Sequence, residues 1–367
     1  MSRNRIIDFV PDIYREFLPE FFERPLAEER HATCANCVMC PPPVPDLPPD
    51  AYFSPSTKCC TFHPALPNYS VGGLLLDTSD AGREGRRRIQ QKIARRVGVT
   101  PFAIMPPARV HLIQQHGKRA FGRAPSMVCP YLDQERGACT VWAQREAECG
   151  TWFCKHNHGE DGREFWAYLR NYLAGTQRIL VFHALHELGF DADQISAGAL
   201  PETDLDARQV EGDAPAEAEY AAMWGSWLGR EEELYTRAFE IVRALDRPKY
   251  ETLGGLAHDL LLRQVAKRHE AIATPRLPDP LIKNPSMRVD RASDGSVLLT
   301  SYRNGEPTRL RRHVFDLLDR FDGRRPTADV RAAIRAETGI GLTDSFLVTL
   351  YHHRILVAPG SASGSAW

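Results

Sequence analysis

The sequence has little of what a membrane-spanning or exported protein needs. Its 367 residues contain no apolar run near the roughly 20 residues that a membrane-spanning helix requires. The first residues, MSRNRIIDFVPDIYREFLPEFF, mix charges and prolines with apolar side chains and contain neither the continuous apolar segment nor the small-residue cleavage site of a signal peptide. We therefore expect a cytoplasmic protein that does not insert into a membrane.

The sequence also lacks a strong charge of either sign. The formal net charge is -1, so the whole chain has no electrostatic reason to bind nucleic acid or an anionic membrane. Hydrophobic residues make up 43% and charged residues 25%, as in ordinary globular proteins. There is no Gly-rich cofactor fingerprint. A zinc-hydrolase helix is not indicated either, because His186-Glu187 is followed by Phe190 where the motif needs its second histidine.

Cysteine is absent from the chain after Cys154 and concentrated before it. All nine cysteines lie between Cys34 and Cys154. Cysteines in a reducing cytosol are poor disulfide candidates, and their odd number also argues against a disulfide framework. Short spacings let several thiolates meet at one soft or borderline metal with little loss of chain entropy. The three groups are Cys34, Cys37 and Cys40; the pair Cys59-Cys60; and Cys129, Cys139, Cys149 and Cys154.

We predict that all nine cysteines are metal ligands. Because a tetrahedral zinc ion or a four-iron cluster takes four thiolates, the set indicates two centres, or one centre with redox-active spare thiols. Histidines in the same region could complete a mixed site, and His156 and His158 are the best placed because they directly follow Cys154. The histidines in question are His63, His111, His116, His156 and His158. No catalytic residue is predicted.

The order of these groups resembles that of the YkgJ-type cysteine-cluster proteins, which are described as zinc- or iron-chelating domains. The most specific matches are Cys129-Pro130-Tyr131-Leu132, Cys139-Thr140-Val141-Trp142, Arg145-Glu146 and Cys149. The resemblance covers about residues 34–154 and implies eight of the nine cysteines as ligands, with Cys40 able to replace one member. The sequence departs from the family pattern in its proline-rich insert, 41–58, and around Cys149 and Cys154.

We favour an iron-sulfur cluster, of the 4Fe-4S type, over zinc. Some proteins with this cysteine order resemble flagellin lysine methylases, so this resemblance adds protein methylation as a candidate activity.

Outside the cysteine region, hydrophobic periodicity predicts helices. A basic helix is expected at 82–98, whose arginines either face solvent or contact phosphate or acidic protein. Three long helices are expected at 163–189, 214–245 and 250–272, with their apolar stripes in a core. A proline-rich hinge at 274–285 follows.

The last part of the chain predicts a small sheet followed by three helices. Turn signals at Asp294-Gly295 and Asn304-Gly305 separate short strands, and Thr343 is the expected N-cap of the last helix. The segment 289–357 resembles the PqqD-like fold, through Val297-Leu298-Leu299 and apolar positions such as Val330 and Leu350. That resemblance implies a winged helix that recognises a peptide. The alternatives are a DNA-binding winged helix and a domain that only packs on the rest of the chain. DNA binding is supported by Arg309, Arg311, Arg312, Arg324 and Arg325 but opposed by several nearby aspartates.

The predicted fold class is α+β, mainly helical. The predicted domains are a loop-rich cysteine-cluster metal domain (1–160), a helical domain (161–273), a PqqD-like winged helix (286–358) and a flexible tail (359–367). The predicted function is that of a cytoplasmic cysteine-cluster metalloprotein involved in peptide or protein modification, whose C-terminal module binds a peptide or protein partner. The alternative is a non-catalytic zinc-stabilised adaptor, metal chaperone or regulator, with DNA binding through the winged helix as a further option. The oligomeric state is left open.

Overall fold

The computed structural model describes residues 5–26, 37–40, 46, 52–151, 155–199, 206–303 and 305–361. Helices make up 54% and strands 8% of the described residues, so the mainly helical α+β class is confirmed. Among the predicted features, Cys34, Cys154, Asn304, most of the insert 41–58 and the tail from residue 362 lie outside the described residues. Within the described ranges, no helix combines the length and apolar character needed to cross a bilayer.

The described α-helices cover most of the chain between residues 68 and 352. In chain order they are α1 (Asn68–Leu76), α2 (Arg83–Arg95), α3 (Ala108–His116), α4 (Ala147–Thr151), α5 (Gly159–Glu187), α6 (Ala192–Ala199), α7 (Ala207–Glu211), α8 (Glu217–Trp224), α9 (Glu231–Arg243), α10 (Arg247–Ala273), α11 (Arg312–Leu317), α12 (Thr327–Thr338) and α13 (Asp344–His352).

The described strands are short and form small antiparallel sheets. They are β1 (Leu66–Pro67), β2 (Ala103–Ile104), β3 (Leu132–Asp133), β4 (Ala138–Cys139), β5 (Ile282–Lys283), β6 (Arg288–Arg291), β7 (Val297–Thr300), β8 (Thr308–Leu310) and β9 (Leu356–Val357). β1 pairs with β2, β3 with β4 and β5 with β9, while β6, β7 and β8 form one sheet in that order.

The helical core is built on two helix pairs. α1 packs on α9 at a close approach that requires glycine, because a Cβ on Gly72 would lie 1.9 Å from the carbonyl oxygen of Tyr235. α5 packs on α10, and the predicted apolar stripe is buried from Phe165 to Leu185, whereas its last member, Leu188, follows the helix and is only partly buried. One apolar core joins residues from Ile6 to Ile272, so the packing is continuous across residue 160.

The predicted helix boundaries are partly wrong. The single helix expected over 214–245 is two helices, because Gly225 adopts a φ of 52° after α8 and a short 3-10 turn separates it from α9. α10 is kinked at Gly255, where φ is 58°. The basic helix is confirmed as α2, but its C-cap is Arg96 in the left-handed conformation (φ 61°), two residues before the expected Gly98.

The C-terminal module has its own apolar core, which runs from Leu281 to Leu356. Its sheet and three helices follow the predicted order, and the turn at Gly295 has a φ of 79°. Thr343 is confirmed as an N-cap, since its hydroxyl accepts a hydrogen bond from the Phe346 N–H at 3.2 Å. β7 is buried at every position, whereas β6 is exposed at every position.

Candidate metal centre

Six cysteines from all three sequence groups line one cavity of about 130 Å³. The six are Cys37, Cys59, Cys60, Cys129, Cys139 and Cys149. Apolar side chains such as Phe62, Leu66 and Val141 form much of the remaining wall. The structure therefore brings together thiols that are up to about a hundred residues apart in sequence. Cys40 lies beside this group without lining the cavity.

The third cysteine group is anchored by backbone hydrogen bonds. The N–H of Cys129 donates to the carbonyl of Cys60 at 2.7 Å, which joins the third group to the cysteine pair. In the β3–β4 hairpin, Cys139 pairs with Leu132, so its thiol is carried on a short ladder beside Cys129. Arg88 of α2 donates to the carbonyls of Pro130 (2.6 Å) and Leu132 (3.0 Å). One arginine of the basic helix thus fixes the loop that carries Cys129.

The first two groups are held by tight turns. The Cys40 N–H donates to the carbonyl of Cys37 at 3.0 Å, and Phe53 donates to Met39 at 2.8 Å. Lys58, directly before the cysteine pair, has a φ of 51°, a left-handed conformation that side chains other than glycine rarely adopt. Its ammonium lies 3.3 Å from the Gly137 carbonyl, to which it donates.

Burial has the largest effect on the pKa of three of the described thiols, Cys40, Cys129 and Cys149. It raises the pKa of Cys129 to about 12 and that of Cys40 to about 12. The pKa of Cys149 is held well above its usual value, first by burial and then by nearby Glu146, Cys129, Cys139 and Cys59. In contrast, the pKa of Cys59 is lowered, chiefly by its hydrogen bond with Cys60, although burial acts to raise it. Because the thiolate is the ligand form, metal binding here would release protons and would depend on a cation to hold the sulfurs ionised.

Cationic side chains lie close to the thiols. Arg145 is 8% exposed, donates to the carbonyls of Trp142 (3.0 Å) and Phe9, and stacks 4.2 Å from the Trp142 ring centroid. Burial lowers the pKa of Arg145, while nearby Cys139 and Cys149 act to raise it. Lys92 of α2 is likewise desolvated, which lowers its pKa, and its charge is near Cys129. These cations offset part of the negative charge that several thiolates would bring into one cavity.

Glu146 is a carboxyl group at the cavity wall. Burial raises its pKa to about 7, against hydrogen bonds from the backbone N–H groups of Glu148 and Cys149 that lower it. Its Oε2 atom is buried and has no hydrogen-bond partner among the described residues. Glu146 is therefore an oxygen donor placed beside sulfur donors.

The predicted histidines do not line the cavity in the described structure. His156 is buried against Glu306, and His158 packs against His352 with ring centroids 5.4 Å apart. His63 contacts the carbonyls of Met127 and Val128, and His111 and His116 lie on α3. The mixed cysteine-histidine site is therefore not the arrangement that the described residues form.

The cysteines surround the cavity without closing on a point. Among the residues that the structure describes, no three His, Cys, Asp or Glu side chains converge as a ready-made metal site. The donor chemistry nevertheless fits: every cavity-lining candidate from the sequence is sulfur, the ligand that zinc and iron-sulfur clusters take.

Two contributors to the site were missed in the sequence. Arg88 and Lys92 are four residues apart on α2 and so lie on one face of the helix, toward the loop of Cys129. The available signal was that each directly precedes an isoleucine of the buried stripe of this helix, Ile89 or Ile93.

No family model, curated protein or solved structure matches this chain. The arguments about the site therefore depend on its own residues and geometry.

Proposed function

We propose that the cavity binds a cysteine-ligated metal centre, and that the protein is a cytoplasmic metalloprotein acting in peptide or protein modification. The observation that carries the proposal is the convergence of six thiols from three distant sequence groups on one cavity. Isolated buried cysteines pack as small apolar residues, but they have no reason to gather around one cavity.

An iron-sulfur cluster is favoured over a single zinc ion. A cavity of about 130 Å³ is far larger than the roughly 10–15 Å³ that one water-sized species occupies, so a polynuclear group fits it better. When bound, such a cluster supplies one-electron redox chemistry or holds the loops together. The chain itself provides the thiolates, the nearby guanidinium of Arg145 and an apolar wall that limits access of water.

The C-terminal module is proposed to bind the peptide partner. β6 lies at one edge of the β6-β7-β8 sheet, and its four residues are exposed, with Val289 at 42%. An edge strand presents unpaired backbone groups to which an extended peptide can add as a further strand. An apolar side chain at the middle of that edge gives the peptide a contact beyond its backbone.

The metal proposal is tested on protein purified without oxygen. We expect brown protein with broad visible absorption, iron and acid-labile sulfide, and a decrease in all three in Cys139→Ala. The control is Glu135→Gln in the same hairpin, whose side chain is exposed; it should retain the cluster. Colourless protein that contains zinc alone would instead support the non-catalytic adaptor or regulator, and metal-free protein would end the proposal.

The partner proposal has a separate test. Capture of a short peptide encoded beside the gene is measured with the full chain, with a Val289→Asp variant and with a chain lacking residues 286–367. We expect capture by the full chain and its loss in both altered chains. Equal capture without residues 286–367 would show that the module is not the binding element.

A further inference from the structure

Cys59 and Cys60 are neighbours in sequence but pack in different places. Cys59 packs on the small apolar cluster of Met39 and Phe53, together with Cys37 and Cys40. Cys60 packs on the main core, of which Cys129 is a buried member and against which Cys139 also packs. By this packing the described thiols form two sets, one on each side of the Cys59-Cys60 peptide, and members of both sets line the same cavity.

The backbone maintains this division. Lys58 holds a left-handed turn just before the pair, and the carbonyl of Cys60 is bonded to the N–H of Cys129 at 2.7 Å. Cys60 is thus tied to the third cysteine group, while the turn carries Cys59 toward the first group. Cys149 is assigned to the second set because it lines the cavity with Cys129 and Cys139, and because these two thiols raise its pKa more than Cys59 does.

We infer that the cysteine cluster holds two separate metal centres, one on each side of the Cys59-Cys60 peptide. This inference depends on the proposed metal function and specifies its stoichiometry. The second set contains Cys60, Cys129, Cys139 and Cys149, the four thiolates that one tetrahedral ion or one four-iron cluster takes. The first set contains Cys37, Cys40 and Cys59, which leaves one coordination position for a further ligand.

One centre shared by all seven thiols does not fit this arrangement equally well. A single four-coordinate centre would leave three described thiols without a metal, and Cys40 lies outside the cavity wall. Two centres use every described cysteine. Each set also has a cation near one of its thiols, Lys58 for Cys59 and Lys92 for Cys129.

The test is a titration of the reduced, metal-free full chain with cobalt(II), whose charge-transfer absorption reports thiolate ligation. We expect saturation at two equivalents per chain in the wild type. Cys40→Ser and Cys139→Ser should each bind one equivalent, and the double variant none.

The outcomes separate the two proposals. Saturation of the wild type at one equivalent, lost in either single variant, would overturn the two-centre inference while leaving a metal centre in place. Absence of any thiolate-to-cobalt band in the wild type would overturn the proposed metal function itself. The wild-type stoichiometry decides even if a variant fails to fold, and circular dichroism of each variant identifies that case.

Discussion

Glu306 of the C-terminal module accepts a hydrogen bond from the backbone N–H of His156 at 3.0 Å, and its other carboxylate oxygen lies 3.2 Å from the Nδ1 of the same histidine. The carboxylate also accepts hydrogen bonds from Tyr302 (2.7 Å) and Arg303 (3.0 Å). A second buried acid, Asp161 of α5, lies 2.7 Å from the Nδ1 of His352 and accepts a hydrogen bond from Arg354 at 2.6 Å.

The two acids hold the C-terminal module against the start of α5, a few residues beyond the third cysteine group. Both are largely removed from solvent, with side chains 5% and 11% exposed for Glu306 and Asp161. A buried carboxylate that loses its partners is costly, so these contacts set the position of the module more firmly than surface ion pairs would.

Removing the charge of Glu306 should weaken this interface. Burial acts to raise the pKa of Glu306, but the hydrogen bond and charge of His156, with Tyr302 and Arg303, lower it to about 2. Because its pKa is lowered in the folded chain, the carboxylate contributes fully to the free energy of unfolding above about pH 4.5, the ordinary pKa of a glutamate. This contribution is lost as the pH falls toward 2. The contribution is at most about 3 kcal/mol. We expect Glu306→Gln to lower the free energy of unfolding by about 2–3 kcal/mol at pH 7, measured by urea unfolding.

The control is Glu337→Gln in α12, whose ion pair with Arg320 is half exposed. We expect it to leave the free energy of unfolding unchanged within experimental error, because exposed ion pairs contribute little to stability. If the two substitutions cost the same, the buried contact does not hold the module in place.

The sequence predicted well those features that depend on residues close together in the chain, and it predicted poorly the contacts between residues far apart. Thr343 and the apolar stripe of α5 are local patterns, and both were predicted. Gly225 was not recognised as a helix end because the apolar and helix-forming residues on both sides favour one continuous helix. The cysteine groups could be expected to meet because thiolates bind the same soft or borderline metals. Six of the cysteines do line one cavity. The role of His156 could not be predicted, since its partner Glu306 is 150 residues away.

His258 should make stability depend on pH in a different range. It is buried between α5 and α10, 2.8 Å from the Tyr250 hydroxyl and 3.2 Å from that of Thr176, and it stacks on Tyr172 at 4.1 Å. Burial lowers its pKa to about 4. The neutral ring is therefore favoured in the folded chain. Its contribution to the free energy of unfolding is complete above pH 6.5 and is lost as the pH falls toward 4. The total loss is about 3 kcal/mol.

The measurement is urea unfolding between pH 7.5 and 4.5, above the range in which Glu306 titrates. We expect the difference in free energy of unfolding between wild type and His258→Gln to shrink as the pH falls. The matched control is His186→Gln on α5, at a position 74% exposed, which should leave the free energy of unfolding at pH 7.5 unchanged. A constant difference between wild type and His258→Gln would contradict the assignment.

The packing of α1 on α9 should not tolerate a side chain at Gly72. An alanine Cβ there would lie 1.9 Å from the Tyr235 carbonyl oxygen and 2.9 Å from the Phe239 Cβ, so the helices would have to separate. Overpacking usually costs about 1–3 kcal/mol, and contact with backbone leaves less room to relax. We expect Gly72→Ala to lower the free energy of unfolding by at least about 3 kcal/mol, measured by urea or thermal unfolding.

Gly341→Ala is the matched substitution at an open position, because an added Cβ there meets no atom within 4 Å. Its effect should be within about 0.5 kcal/mol of zero, or slightly stabilising through the unfolded chain. If both substitutions lowered the free energy of unfolding by similar amounts, the close approach of α1 and α9 would not be the reason that position 72 requires glycine.

The left-handed turn at Lys58 should control how well the cysteine pair binds metal. Asparagine tolerates a φ of 51°, whereas a β-branched residue does not. Lys58→Asn and Lys58→Val both remove the ammonium near Cys59, so they differ mainly in their ability to keep the turn. Forcing an unsuitable residue into this conformation costs about 1–2 kcal/mol, which corresponds to about a tenfold loss of metal affinity. We expect the valine variant to lose metal to a competing chelator at about one-tenth of the chelator concentration that strips the asparagine variant. Equal retention by the two variants would show that the turn does not position Cys59 and Cys60 for binding.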